Sequence, residues 1–359
     1  MDRRKSEESN QKIQDKDNLT AEEKKARKNK CEEEERENVI TSGTLLIMAF
    51  FRLQENDNNG YIIQYFEQVL HSIFFFGYIN KKKILPEDFL PEEVISQLKN
   101  LFPKPFREYN THLPYYTPYS ILLEYMTKII RAEDPDLFMQ ELTRVNQSLW
   151  KVCDEQGNQP IANDFAATAS TVSYCCVIDT NNRKVLANAY GASMSCKGRN
   201  QREIMIALST LHVWDKAISY AVSGKGKHPI TFPDRVHCRA YSIIAQRGAY
   251  IEKRPCKRCN QLYNVNFIPG YEADTREYPY GNCAENESLS RLLQAETNIR
   301  NEIFTVGDNR EKLNREAMER KFKDEYEDEK KCRVKALLSS MQFKLNPKQW
   351  NFFTPSSSV

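Results

Sequence analysis

RPCKRCNQLYNVNFIPGYEADTREYPYGNCAENESLSRLL, from Arg254 to Leu293, is the stretch around which the rest of the chain is read. It carries three cysteines in two short motifs, Pro255-Cys256-Lys257-Arg258-Cys259 and Cys283-Ala284-Glu285, and each motif opens a segment that reads as a helix. A C-x-x-C pair sets two thiolates close enough to share one metal ion. A third thiolate from a second helix start completes a three-ligand site and leaves one coordination position open. Helix N-termini suit thiolates, because their free N–H groups and positive dipole end favour negative charge. Glu285 follows the third candidate ligand by two residues, where a carboxylate can face the open position.

Around those motifs the sequence resembles the zinc-dependent cytidine deaminases. Tyr278-Pro279-Tyr280-Gly281-Asn282-Cys283-Ala284-Glu285 is similar to the segment opening their first zinc helix, and Pro255-Cys256-x-x-Cys259 to the one opening their second. The resemblance implies zinc held by Cys256, Cys259 and Cys283, an activated water, and Glu285 as a proton shuttle that is not a ligand. It departs from the family in chain order. The family places Cys-Ala-Glu before Pro-Cys-x-x-Cys, whereas here it follows, with 23 residues between Cys259 and Cys283. A second alignment keeps the family order. His237-Cys238-Arg239 then precedes Pro255-Cys256-x-x-Cys259, but Arg239 stands where the essential Glu belongs, which describes an inactive relative.

Composition bounds the rest. The 359 residues suffice for two domains plus tails, and a net charge of +3 with 28% charged residues does not describe a strongly basic nucleic-acid binder. Ten cysteines are dispersed through the chain, and the N-terminal MDRRKSEESNQKIQ is polar, without the apolar core of a secretory signal. The expectation is therefore an intracellular protein, cytoplasmic or nuclear, whose C-x-x-C binds metal rather than joining a disulfide framework. No apolar run reaches the length of a membrane span.

Taken in order, residues 1–37 are almost entirely polar and charged and are expected to be a disordered tail. Residues 38–153 carry helical periodicity and read as an all-helical domain of about five helices, one of them Glu92–Leu101 after Pro91. The proline-rich stretch Phe102–Pro118 reads as an irregular connection. Ser170–Asp179 and Lys184–Ala192 flank the turn residues Thr180–Arg183 as a hairpin. Cys175 and Cys176 must point to opposite faces of the first strand. Asn200–Val222 reads as one long helix ending at the Gly224 and Gly226 turn. For residues 165–308 the resemblance implies a deaminase-like domain, a mixed sheet flanked by helices, and 309–359 are expected to be a charged helical C-terminal arm. The fold class is α+β or α/β.

Three functions follow from different classes. The first is hydrolytic deamination of a cytosine-type base in a nucleotide or single-stranded nucleic acid, the locally basic run from Arg235 to Arg258 attracting phosphate and Tyr241, Tyr250 and Tyr263 offering stacking surfaces. The second is a non-enzymatic interaction protein in which His237 or Cys238 supplies a fourth ligand and closes the zinc site. Its helical domain or C-terminal arm would then meet protein partners. The third, a Cys256/Cys259 redox pair, leaves Cys283 unused and lacks a thioredoxin-like surrounding.

Overall fold

The computed structural model describes residues 20–150, 167–196, 198–244, 248–270, 278–346 and 349–356. The architecture is mixed α+β, a helical N-terminal region followed by a part that contains two sheets.

Helix α1 (Ala21–Leu53) begins inside the stretch expected to be disordered. Its start is a capping box. The Thr20 hydroxyl accepts from the Glu23 N–H at 3.2 Å, and the Glu23 carboxylate accepts from the Thr20 N–H at 2.8 Å. Ion pairs Arg36–Asp88 (2.9 Å) and Lys82–Glu33 then tie the polar half to the body. From Val39 onward the helix is core, with Leu46, Ile47, Phe50 and Leu53 buried. Residues 21–37 are thus helical, and 1–19 lie outside the described residues.

Next come α2 (Ile62–Tyr78), α3 (Pro86–Phe89), α4 (Glu92–Leu101), α5 (Pro103–Glu108), α6 (Pro118–Ile129) and α7 (Pro135–Trp150). Helix α5 lies in the stretch expected to be irregular. Pro103 in its first turn needs no N–H partner there, so a proline run is compatible with a short helix.

The strands are β1 (Thr171–Ile178), β2 (Val185–Ala192), β3 (Ile230–Thr231), β4 (Val236–Ile243), β5 (Tyr250–Lys253), β6 (Tyr263–Asn264), β7 (Asn266–Ile268), β8 (Phe304–Val306) and β9 (Lys312–Asn314). The main sheet runs β2-β1-β4-β5, all antiparallel, and the smaller one β6-β3-β8-β9. One edge of β4 is shared. β5 pairs along its second half, ending with Lys253 opposite Ala240, and β7 pairs in parallel along its first half, ending with Ile268 opposite Arg239. The chain therefore leaves the sheet at Lys253 and returns at Asn266, and the C-x-x-C motif lies in that excursion.

The expected single helix over 200–222 is two helices. α8 (Arg199–Leu208) widens into a π turn over Ser209–Val213, and α9 (Lys216–Ser223) restarts after it. The Trp214 N–H reaches the Ser209 carbonyl at 2.7 Å, and the Asp215 carboxylate accepts from the Ala217 N–H at 2.9 Å. Asp215 therefore acts as a cap inside an apolar periodicity that runs on regardless. Further on come α10 (Lys257–Leu262), α11 (Ala284–Ala295), α12 (Thr297–Glu302), α13 (Arg315–Glu325) and α14 (Glu327–Ser340).

The main sheet is covered on both faces. Val172, Tyr174, Cys176, Tyr190 and Tyr241 pack against the N-terminal helices, so that helical region shares its core with the sheet. Cys175, Val177, Val236 and Cys238 pack on the other side with residues of α9, α11 and α13. The alternation that sends Cys175 and Cys176 to opposite faces is what separates these two cores.

The segment 309–339, expected as an exposed arm, instead packs onto the body. Met318 and Phe322 of α13 and Val334, Leu337 and Leu338 of α14 are buried, each set spaced to form a narrow stripe along one side of its helix. Past α14, Phe352 bridges to Leu113, Phe353 is buried, and the Ser356 hydroxyl donates to the buried carboxylate of Glu67 at 2.9 Å. Among the described residues, no helix is long and apolar enough to cross a membrane.

Candidate metal centre and its cavity

Cys256 is the N-cap of α10 and Cys283 the N-cap of α11, both with extended backbone that aims the side chain ahead of the helix. Cys259 lies within the first turn of α10. The ligand atoms of the three residues fall within 4.8 Å of one another, the only such group of three His, Cys, Asp or Glu among the described residues. The Cys256 sulfur is 3.5 Å from that of Cys259 and 3.4 Å from that of Cys283. Three sulfurs bound tetrahedrally at about 2.3 Å from one zinc sit about 3.8 Å apart, so a small outward shift admits the ion.

The electrostatics agree with a cation's place. Contacts with the Cys259 and Cys283 thiols hold the Cys256 thiol far below its ordinary range, and the same contacts push Cys259 and Cys283 well above theirs. One ionised thiol suppresses its two neighbours, and a shared positive ion relieves that suppression. Glu285, in the first turn of α11, is buried. Desolvation pushes its carboxyl up and the Cys256 thiolate adds to the effect, while Lys253 acts against it.

A cavity of about 220 Å³ adjoins the cluster, with Cys256, Cys283, Glu285, Lys253, Tyr278 and Asn282 in its wall. Its remaining wall is hydroxyl-rich, from Ser170, Thr171, Ser193 and Ser242 at the ends of β1, β2 and β4. The fold reaches this arrangement because α11 packs across β1 and β2. Added at Gly191 of β2, a Cβ would lie 2.5 Å from the Ala284 carbonyl oxygen and 2.4 Å from the Ser288 nitrogen, so the helix that carries Cys283 can only sit this close over a glycine.

Neither residue considered as a fourth ligand belongs to the cluster. Cys238 turns under α11 and meets Cys175, sulfur to sulfur at 3.0 Å, with the Ser173 hydroxyl at 3.5 Å. His237 precedes it on β4 and so faces the other side of the sheet. Nor is the basic run a free positive surface. Arg235 pairs with Glu302 (Nη1 at 2.8 Å), Arg239 with Glu252 (2.6 Å), and Arg258 donates to the Tyr280 hydroxyl (2.8 Å). Tyr241, Tyr250 and Tyr263 are buried and offer no stacking surface. Of the basic run, Lys253 is the residue that lines the cavity, and the four hydroxyl residues beside it carry no motif, because they come from strand ends that only the folded sheet brings together.

No family model matches the sequence, and no curated protein or solved structure matches it. The site therefore rests on its own geometry.

Proposed function

We propose that this chain is a zinc-dependent hydrolase of the nucleobase-deaminase type, acting on a cytosine-type ring. The observation that carries the reading is a cluster of three thiols, two of them lining a cavity whose wall also holds a buried, non-ligand carboxylate, Glu285. Hydrolytic deamination exchanges an exocyclic C–N bond for C=O and releases ammonia, so protons must move from water to the ring and to the departing amine. Cys256, Cys259 and Cys283 would hold the zinc ion, which would supply a water acidified toward neutral pH. Glu285 is the group placed to take up a proton and return it within the same closed space. Asn282 and Tyr278 flank the ring's place, and the hydroxyl wall orients the remainder of the ligand.

A closed structural zinc site is the reading this one displaces, since Cys238 is engaged with Cys175 and His237 lies on the far face of β4. The test is metal analysis and X-ray absorption of the purified chain, followed by a deamination screen over cytidine, its 5′-monophosphate and short single strands, with Glu285→Gln alongside. The expected result is about one zinc per chain with three sulfurs and one light atom, and turnover that Glu285→Gln removes. Four protein ligands, or no metal, would overturn it.

A further inference from the structure

Lys253, the last residue of β5, places its ammonium in the wall of the cavity, 3.3 Å from the Thr171 hydroxyl and 6.0 Å from the centre of the Tyr278 ring. Among the described residues, no carboxylate lies within ion-pair distance of it. Two cations on and just before β4 differ, since Glu302 neutralises Arg235 and Glu252 neutralises Arg239. Around the ammonium the wall is hydroxyl. Ser170 and Ser193 lie 3.4 Å apart, and Ser242 donates to the Ser170 carbonyl at 3.4 Å. Glu285 acts on this ammonium only from beyond ion-pair distance. An ammonium free of a direct ion pair among the described residues, set among O–H donors, is the composition of a phosphate subsite, where three N–H donors and adjacent hydroxyls meet several acceptor oxygens.

The acidic groups of the same cavity sharpen this. Three thiolates and Glu285 outnumber the two positive charges of a zinc ion, so a phosphate is repelled from the cysteines and held only at the Lys253 side. The ligand is thereby oriented, ring toward the cysteines and phosphate toward the ends of β1 and β5. A single strand would need cations continuing along its backbone, and among the described residues Lys253 is the one cation in the cavity wall.

From this we infer that Lys253 and Thr171 bind the phosphate of a mononucleotide, making a pyrimidine nucleoside monophosphate the substrate in preference to a free nucleoside or a strand. The inference rests on the deaminase reading for the ring but not for the phosphate. The test is calorimetric binding to the zinc-loaded full chain, comparing cytidine, cytidine 5′-monophosphate, inorganic phosphate and a short cytosine-containing strand. Wild type should bind the monophosphate at least tenfold more tightly than cytidine. Lys253→Gln should reduce that preference below twofold, and Lys253→Arg should retain most of it. Thermal melting and cobalt–thiolate absorption confirm that each variant is folded with its cysteine cluster intact. Equal binding of nucleoside and monophosphate, an undiminished preference in Lys253→Gln, or tight binding of the strand alone would each overturn the inference. Turnover by the wild type separates the two readings. A phosphate preference in a zinc-loaded wild-type chain that turns over none of these ligands sinks the deaminase reading and leaves the Lys253 subsite standing.

Discussion

Two groups of thiols lie against helix α11, and they have opposite characters. Cys256, Cys259 and Cys283 gather at its N-terminal end beside a cavity, with no hydroxyl of the described residues within hydrogen-bond reach of their sulfurs. Cys175 and Cys238 meet beneath its middle, fully enclosed, where the Ser288 hydroxyl is 3.1 Å from Cys175 and the Ser173 hydroxyl 3.5 Å from Cys238. Burial raises the Cys238 thiol and the contact with Cys175 adds to the rise, while the Ser173 hydroxyl acts against it. Cysteine content alone therefore does not mark a site. Three thiols at an open edge favour a cation, whereas two thiols among hydroxyls inside a core act as small, weakly polar filler.

The largest expected effect tests that contrast directly. Cys259→Ser should reduce bound zinc from about one per chain to near none by mass spectrometry, whereas Cys238→Ser should keep it. Loss of metal in Cys238→Ser would erase the distinction between the two groups. Glu285→Gln should next retain zinc while lowering deamination by about 10²- to 10⁴-fold, the usual worth of a positioned acid–base group. A variant with near-normal turnover would reduce Glu285 to a first-turn helix acid.

A third buried polar group carries the comparison away from the sheet. His71 of α2 is fully enclosed, neither ring nitrogen has a hydrogen-bond partner among the described residues, and its ring stacks on Phe353 at 4.1 Å. Burial holds its pKa down to about 3, against 6.5 in the open chain. Because the folded value is the lower one, its stabilisation is complete above pH 6.5 and is lost as pH falls toward 3. The slope is about 1.4 kcal/mol per pH unit, so this site costs about 2 kcal/mol at pH 5. Denaturant melts at pH 7 and pH 5 should show that loss, and His71→Phe should remove it. An unchanged pH dependence in the variant would assign the slope elsewhere. The smallest effect belongs to the enclosed thiol pair. Cys238→Ala should lower stability by about 1 kcal/mol in the same melts, as expected for a small buried side chain, with zinc content unchanged.

Much of this molecule was legible in its sequence because the signals were local. The mixed α+β class, the hairpin around Thr180–Arg183 and the helix after Pro91 each follow from periodicity and turn chemistry within a dozen residues. The nearness of Cys256, Cys259 and Cys283 was legible too, since metal-ligand spacing at two helix starts is a short-range pattern. What escaped was of two kinds. Some local signals were outvoted by composition. Thr20-Ala21-Glu22-Glu23 is a capping box, yet the charged run after it reads as a tail, and Asp215 is a cap hidden in an apolar stripe. Other features had no local signal at all. Lys253, Thr171 and Ser242 become neighbours only through the register of β1, β4 and β5, and the contact between Cys175 and Cys238 is a register fact as well.

The C-terminal residues carry a consequence for how the chain comes to be made. Ser356 satisfies the buried Glu67 carboxylate across 289 positions of sequence, and Phe353 covers His71. Emerging from the ribosome, α2 presents an uncovered carboxylate and imidazole on its face until the segment around Phe353 and Ser356 has followed. Completing this part of the core waits on residues 289 positions further along the chain. Such long-range closure slows folding and leaves apolar surface open to chaperones in the interval.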